Sequence, residues 1–323
     1  MLRVLLAVLL SFATLASARA STWTEATTTV RTGTQEMIGA TSSSDGTKLA
    51  ATVWNGYIWT SSDSGETWTP TGSTQEWTGN TQEWRGVTSS SDGTKLAAVT
   101  TGPTHGYIYV STDSGATWTT RSDAQSWFGI TSSSDGTKLA ATVDGGDIYT
   151  SIDSGVSWTP TGDADLIGHG WRGITSSSDG TKLAAVADNG YIWTSADSGG
   201  IWTKRETRSE GQSAASARAW FDITSSSDGT KLAATVNGGY IWTSANSGAT
   251  WTEVKPTETT QKWSGIASSS DGTELVALVR FGNVWTYQYP PPPPPLTCCE
   301  ESFAKRGFAV GRAFALRSGR ELR

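Results

Sequence analysis

Four residues at equivalent places along the chain have side chains suited to ligand binding: Arg85, Phe128, Arg172 and Phe221. Each one follows a tryptophan at the start of a repeated segment. Guanidinium groups bind carboxylates through paired hydrogen bonds, and aromatic rings stack on cations and planar groups. We predict that these four side chains bind acidic or planar ligands, with packing between neighbouring sheets as the alternative role.

A second pattern, S-x-D/N-S-G-x-x-W, places a carboxylate or amide in a short polar turn five times. One or two carboxylates per turn are too few for a calcium site, which needs at least six oxygen ligands. We therefore predict a structural role, in which serine and aspartate bond the turn backbone and tryptophan fills a gap between sheets. The residues assigned to this role are Asp63, Asp113, Asp153, Asp197, Asn246, Trp68, Trp118, Trp158, Trp202 and Trp251.

Other chemistry-bearing patterns are scarce in the sequence. It contains no phosphate-binding loop and no serine-hydrolase elbow. His105 and His169 lack the spacing of metal ligands. A glycosidase that uses two carboxylates is the one catalytic mechanism that the acidic loops leave open. We predict no enzyme activity, no cofactor and no metal site.

The elements that must position these residues are set by an internal repeat. The string SSSDGTKLA begins at Ser42, Ser89, Ser132, Ser176 and Ser225, and a variant, SSSDGTELV, begins at Ser268. Successive copies lie 43 to 49 residues apart, a length that suits four short strands with their connections. The repeat predicts an all-β fold, a six-bladed β-propeller of four-stranded antiparallel blades.

Antiparallel strand order decides which loops share a side of this propeller. The SSSDGT turns join first and second strands, and the S-x-D-S-G turns join third and fourth strands, so both lie on one side. The other side carries variable loops, including 100–106, 163–170 and 204–219. Because function usually lies on loops held by a rigid scaffold, we predict the partner site there; the alternative is unconstrained surface loops.

The S-x-D-S-G-x-x-W segments resemble the Asp-box, or BNR repeat, of sialidase-like propellers over about 270 residues. Their dense pattern is also similar to that of propellers of the photosystem II stability/assembly factor type. The resemblance implies a propeller that either binds a partner or processes a glycan.

Sialidase chemistry, as that resemblance implies it, requires three converging arginines, a Tyr–Glu nucleophile pair and an aspartate acid/base. Only Arg85 and Arg172 occupy equivalent inner positions here. Four tyrosines share a single repeat position, which favours packing over a unique nucleophile; they are Tyr57, Tyr107, Tyr191 and Tyr240.

The two ends of the repeat region predict how the ring closes. The sixth copy reaches the proline run at 290–295 without a fourth strand. Near the N-terminus, Trp23 and Thr24 match the Trp-Thr pair that begins each fourth strand. We predict that the N-terminal strand joins the last blade, which would remove exposed sheet edges.

Four segments follow from composition. Residues 1–20 have the features of a signal peptide cleaved after Ala20, with a membrane anchor as the alternative. Residues 21–289 form the propeller, and 290–296 form a stiff polyproline linker. Residues 297–323 form a basic, disordered tail, or alternatively a segment that touches an anionic surface.

Charge and cysteine content limit the partners. The ends, 1–20 and 297–323, contribute +2 and +3 to a formal net charge of −6, which leaves −11 on 21–296. An acidic body repels phosphate backbones, so we expect no nucleic-acid partner.

The only cysteines, Cys298 and Cys299, provide no disulfide framework for the main domain. Pairing between chains and binding of a soft metal stay open as roles for them.

Together these observations predict a secreted, noncatalytic binding or scaffold propeller. It would act as a monomer without a stable membrane span and recognise an unknown protein or carbohydrate through its variable face. The alternative is a glycan-processing hydrolase of the Asp-box class.

Overall fold

The computed structural model describes six stretches of the chain, and the regular elements in them are β-strands. These stretches are residues 37–71, 82–102, 106–208, 217–256, 258–280 and 282–288. All belong to the first of two compact units, Met1–Gln288 and Tyr289–Arg323. The predictions for the signal peptide, Trp23, His105, the linker and the tail with its two cysteines lie outside the described residues.

The strands follow the repeat, and each copy contributes one antiparallel group. Group one contains β1 (Met37–Ser42), β2 (Leu49–Gly56), β3 (Ile58–Ser61) and β4 (Thr69–Thr71). Group two contains β5 (Gln82–Ser89), β6 (Leu96–Thr100), β7 (Ile108–Ser111) and β8 (Thr119–Thr120). Group three contains β9 (Trp127–Ser132), β10 (Leu139–Gly146), β11 (Ile148–Ser151) and β12 (Thr159–Pro160).

The second half of the chain repeats this order. Group four contains β13 (His169–Ser176), β14 (Leu183–Asp188), β15 (Ile192–Ser195) and β16 (Thr203–Arg205). Group five contains β17 (Trp220–Ser225), β18 (Leu232–Gly239), β19 (Ile241–Ser244) and β20 (Thr252–Val254). The described part of group six contains β21 (Gln261–Ser268), β22 (Glu274–Val279) and β23 (Val284–Gln288).

Short turns force neighbouring strands of a group to pair antiparallel. In group three, Leu139 of β10 lies opposite Ser132 of β9 and Ser151 of β11. The far ends of β2, β10 and β18 also pair with β5, β13 and β21 of the next group. These contacts join the groups two by two into three sheets.

The core lies between the groups, where the sheets face one another. A tryptophan is the first or third residue of the first strand in groups two to six and is at most 1% exposed in each. In one apolar cluster Ile148 of group three packs with Trp171, Trp193 and Trp202 of group four. Alanines of the KLAA segment, such as Ala141 at 0% exposure, let the sheets approach closely. The groups pack face to face in succession, and serines of all six line one common cavity. This arrangement is that of a β-propeller, and the predicted all-β propeller fold is confirmed.

A chain of backbone hydrogen bonds connects the groups along the first strands. In groups one to five the third serine of the SSSDGT segment donates its N–H to the equivalent carbonyl of the next group at 2.7 Å. The donor–acceptor pairs are Ser44–Ser91, Ser91–Ser134, Ser134–Ser178, Ser178–Ser227 and Ser227–Ser270. Among the described residues no equivalent bond joins Ser270 of group six to Ser44 of group one.

Candidate binding face

Hydrogen bonds between turns define the side of the propeller that we call the repeated face. In group one the N–H of Ser64, in the S-x-D-S-G turn, donates to the carbonyl of Thr47, in the SSSDGT turn, at 2.9 Å. The same bond recurs in groups two to five. The opposite side, formed by links between second and third strands and between groups, is called the variable face.

Each SSSDGT turn closes its own polar groups around one carboxylate. In group one Asp45 accepts hydrogen bonds from the Ser43 hydroxyl at 2.6 Å and from the N–H of Thr47 at 3.0 Å. These bonds lower the pKa of Asp45 from 3.8 to about 2, and the bond from Ser43 has the largest effect. The carboxylate therefore stabilises its own turn, through three hydrogen bonds to Oδ1.

The S-x-D-S-G turns use the same chemistry. Asp63 accepts hydrogen bonds from the Thr67 hydroxyl and from the N–H of Thr67, the latter at 2.9 Å, and these lower its pKa to about 2. Ser64 and Gly65 both have positive φ angles, 59° and 89°. At Gly65 this conformation suits only a residue without Cβ; the strained serine before it was not foreseen from the sequence.

The tryptophan that ends each of these turns is anchored by its own backbone. Its indole N–H donates to the glycine carbonyl of the same turn at 3.0–3.1 Å. The five residues are Trp68, Trp118, Trp158, Trp202 and Trp251. Asn246 replaces aspartate in the fifth turn and still accepts the N–H of Thr250 at 2.9 Å, so the turn does not require a charge.

The centre of the repeated face holds a neutral cavity of about 230 Å³. Serines from all six groups line it, including Ser42, Ser89, Ser132, Ser176, Ser225 and Ser268. In the described residues no three His, Cys, Asp or Glu side chains are grouped as a metal site would need. This cavity offers hydroxyl groups and no charged side chain.

The variable face brings three of the four predicted binding residues together. The Arg85 guanidinium lies 4.4 Å from the ring centre of Trp54 and 5.0 Å from that of Phe128. Arg172 lies 4.8 Å from the same Phe128 ring. The four side chains form a stack of alternating rings and cations, which we call the arginine stack. Phe221 makes no contact with this stack within the described residues.

The two arginines of the stack differ in their partners. Arg172 forms ion pairs with Asp144 at 3.0 Å and with Asp188 at 3.4 Å. Arg85 forms no hydrogen bond or ion pair with any other described residue, and its Nε is buried without an acceptor. Burial, which favours the uncharged form, lowers the pKa of Arg85.

Sequence reasoning missed the residues that complete the stack. Trp54, Asp144 and Asp188 lie in or just after second strands, whose ends the repeat leaves variable. A tryptophan or aspartate at the end of a KLAA strand was the available signal. The structure does not bring His169 into this site; its Nε2 lies 2.9 Å from the carbonyl of Asp165.

A further residue that the sequence analysis missed is Asp222, which stands where groups one to four and group six have glycine. One carboxylate oxygen accepts the N–H of Ile266 in group six at 3.0 Å, and the other accepts the N–H of Ile223 at 2.9 Å. Burial raises the pKa of Asp222 to about 6, although both bonds act in the opposite direction.

Comparison with known proteins finds similarity in fold only. No family model matches the chain, and no curated protein matches it. The structure of YCF48 from Cyanidioschyzon merolae is 16% identical, with a TM-score of 0.60 over 79% of this chain and 83% of that chain. A structure of YCF48 bound to D1 peptide is 17% identical, with a TM-score of 0.58 over 79% and 78%.

An enzyme is also among the similar structures. The GH74 xyloglucanase from Xanthomonas campestris is 14% identical, with a TM-score of 0.57 over 77% of this chain and 44% of that chain. The YCF48 structures support the predicted likeness to photosystem II assembly-factor propellers at the level of fold. Within the described residues no helix is both long and apolar enough to cross a membrane.

Proposed function

We propose that this chain is an exported, noncatalytic binding propeller that recognises a protein or carbohydrate partner through the arginine stack on its variable face. The observation that carries the proposal is the state of Arg85, a cation fixed between two rings without an acceptor. A charge-assisted hydrogen bond from the Nη groups of Arg85 to a ligand oxygen would contribute about 1.5–3 kcal/mol.

The stack also indicates the chemistry of the recognised group. Trp54 and Phe128 cover the two faces of the Arg85 guanidinium, so only its edge can meet a ligand. A guanidinium edge matches a carboxylate in a planar, bidentate geometry. Arg172 cannot compete for that ligand, because Asp144 and Asp188 already neutralise it. An acidic side chain, a chain terminus or an acidic sugar fits Arg85.

A protein partner is supported by one of the similar folds. YCF48, whose fold resembles that of this chain, has been seen with a D1 peptide bound. The variable face offers the surface for such a partner, because the repeated face has its carboxylates committed to turns. Peptide recognition at the variable face is therefore the form of the proposal that we favour.

The second candidate function is a glycan-processing hydrolase. Two observations favour it: the fold likeness to a xyloglucanase and the presence of two carboxylates, Asp144 and Asp188, at one site. Each carboxylate has one oxygen paired with the Arg172 guanidinium, so neither is held free for a glycosidic oxygen. Turnover of fluorogenic sialosides or other glycosides that disappears in Arg172→Ala would establish this alternative.

The scaffold that we propose is a ring of six blades, closed by an N-terminal strand beside β23. Val284 of β23 is 42% exposed, whereas its equivalents Ile148 and Ile192 are 0% exposed. This edge therefore lacks the cover that a neighbouring strand gives elsewhere. Ten residues separate Thr71 from Gln82, and ten separate Ala26 from Met37, so residues 23–26 have the spacing of a fourth strand.

The binding proposal is tested with residues 21–323 on a peptide array and a glycan array. Arg85→Ala should lower affinity for any hit roughly tenfold or more, because a charge-assisted hydrogen bond contributes about 1.5–3 kcal/mol. Arg85→Lys should recover only part of it, since an ammonium lacks the planar fork. Arg121→Ala, an exposed arginine of group two, is the matched control. Silence on both arrays, or equal affinity in Arg85→Ala, would overturn the proposal.

A further inference from the structure

The arginine stack and the two carboxylates paired with it carry as much negative as positive charge. The guanidinium groups of Arg85 and Arg172 lie 5.0 and 4.8 Å from the centre of the Phe128 ring. Asp144 and Asp188 each form an ion pair with Arg172, at 3.0 and 3.4 Å. We call the two arginines and the two aspartates the charge quartet.

The repeat brings the quartet together from two positions. Arg85 and Arg172 follow the leading tryptophans of groups two and four, and both aspartates lie five residues after the leucine of a KLAA segment. Trp54 has that same place in group one. The first position contacts the second position of the preceding group, as Arg85 contacts Trp54 and Arg172 pairs with Asp144. The quartet therefore follows from which residues occupy these two positions.

Each carboxylate of the quartet keeps one oxygen available. Arg172 pairs with Oδ2 of Asp144 and with Oδ2 of Asp188, and neither Oδ1 accepts a hydrogen bond from another described residue. The two aspartate side chains are 41% and 35% exposed. Because an ionised carboxylate has about four acceptor sites, an incoming ammonium or guanidinium can bind Oδ1 without displacing Arg172.

Negative charge beside Arg85 disfavours a ligand that is only acidic. Burial has the largest effect on the pKa of Arg85 and lowers it, and the charge of Arg172 acts in the same direction. The charges of Glu83 and Asp144 raise that pKa, so both carboxylates are near enough to act on the guanidinium. A lone carboxylate bound to Arg85 is repelled by the same two groups, whereas a ligand that also carries a cation is repelled less.

We propose that the charge quartet recognises a dipolar segment of a partner protein, in which a carboxylate binds Arg85 and a cation binds Asp144 and Asp188. The proposal rests on the binding function proposed above and names the chemistry of its ligand.

The spacing of the two ligand charges follows from an extended backbone. Side chains two residues apart in such a segment point to the same side, with their Cα atoms roughly 7 Å apart. The quartet covers a comparable distance, because the Phe128 ring contacts both guanidinium groups. We therefore expect an acidic and a basic residue two positions apart in the recognised segment.

The test measures fluorescence anisotropy of three labelled peptides, blocked at both ends, against residues 21–323. The peptide SESKSESK has all its charges on one side when extended. The peptide SSEKSSEK has the same composition, but its acidic and basic residues point to opposite sides. The peptide SESSSESS has only the acidic residues. SESKSESK should bind about threefold or more tighter than either of the others.

A paired substitution separates the dipolar ligand from an acidic one. Asp144→Asn with Asp188→Asn should weaken binding of SESKSESK about threefold or more, because two partly exposed ion pairs are lost. The same variant should bind SESSSESS more tightly, since Arg172 loses its partners and can accept a ligand carboxylate. An effect of opposite sign on the two peptides cannot come from partial unfolding.

A matched variant controls for net charge. Glu66→Gln with Glu258→Gln removes two negative charges at exposed sites elsewhere and should change neither affinity. Thermal unfolding of each variant is measured beside the parent.

Three results would overturn the dipolar ligand. One is no binding of SESKSESK by the parent, and another is equal affinity for SESKSESK and SSEKSSEK. The third is a variant with both aspartates replaced that binds SESKSESK as tightly as the parent does. If Arg85→Ala abolishes binding while that aspartate variant keeps it, the dipolar ligand is excluded and the proposed function stands. If Arg85→Ala binds every peptide as the parent does, the proposed function itself fails.

Discussion

The repeated and variable faces of this propeller use their charged groups in opposite ways. On the repeated face Asp45 and Asp63 accept hydrogen bonds from their own turns, and these bonds lower their pKa values to about 2. On the variable face Arg85 lies between two rings with a buried, unpartnered Nε. The most repeated polar residues therefore maintain the fold. The polar group that has no hydrogen-bond partner lies where the repeat varies.

The largest effect that would test this comparison is acid unfolding. Asp92, Asp135, Asp179, Asp228 and Asp271 all have pKa values of about 2, below the ordinary 3.8. A lowered pKa contributes stability that is present above pH 4 and is lost as the pH falls from about 4 to 2. Thermal unfolding followed by circular dichroism should show Tm falling steeply in that window. A Tm that stays constant between pH 4 and 2 would contradict a structural role for the turn carboxylates.

The next largest effect is the change in stability with pH that Asp222 causes, which is opposite in sign to that of the turn carboxylates. Its pKa is raised from 3.8 to about 6, so the folded state binds the proton more tightly and stability declines as pH rises from about 4 to 6. Asp222→Asn should remove this decline and stabilise the protein above pH 6 by at most about 3 kcal/mol, since one pKa unit corresponds to about 1.4 kcal/mol.

Urea unfolding at pH 4.5 and pH 7.5 measures the Asp222 effect. Asn offers only one acceptor oxygen for the two N–H groups that Asp222 serves, so the pH dependence is more informative than the absolute stability. Asp222→Gly restores the residue found in the other groups and serves as a second variant. An unchanged slope with pH in both variants would show that Asp222 is not the group that titrates.

A smaller effect on affinity is expected when one of the rings beside Arg85 is removed. Trp54→Ala removes one of the two rings around Arg85, and a cation–π contact contributes about 0.5–2 kcal/mol. Affinity for the array ligand should fall about twofold to thirtyfold, less than in Arg85→Ala. Tyr57→Ala removes a 44% exposed ring nearby in the same group and should leave affinity unchanged. If both variants lose affinity equally, the arginine stack is not the specific site.

The smallest effect tests whether the repeated face needs charge. Asp197→Asn copies the residue that group five already has at position 246, where the amide keeps the turn hydrogen bonds. Tm at pH 7 should change by about 2–4 °C or less, the shift expected for roughly 1 kcal/mol. Asp197→Ala should lower Tm further, because it loses the acceptor for the N–H of Ile201 at 2.9 Å. Equal Tm values for the two variants would contradict that argument.

The all-β propeller fold was predictable from the sequence because each repeat contains the hydrogen-bond donors and acceptors of its own turn. Each SSSDGT segment contains both the carboxylate and the donors that satisfy it, as in Ser43, Asp45 and Thr47. The apolar and small residues of the KLAA strands, Leu139 to Val143 for example, are all buried, which places these strands in the core. The blade count and the N-terminal closing strand depend on residues outside the described stretches and stay predictions.

The binding site was only partly predictable. The position after the leading tryptophan identified Arg85, Phe128 and Arg172, but Phe221 at the same repeat position is not part of the stack. The repeat position fixes the strand and the place in that strand at which a residue lies. The side chains that contact it come from the ends of second strands in neighbouring groups. Trp54 reaches Arg85 across such a seam, and a single repeat unit contains no information about that contact.

A crossed measurement on one residue from each face tests the central claim most directly. Arg85→Ala and Asp179→Ala are compared with the parent for Tm and for Kd toward the ligand found on the arrays. The account predicts that Arg85→Ala loses affinity without the fall in Tm that Asp179→Ala shows, and that Asp179→Ala lowers Tm with Kd unchanged. Affinity lost through Asp179→Ala and kept in Arg85→Ala would contradict it.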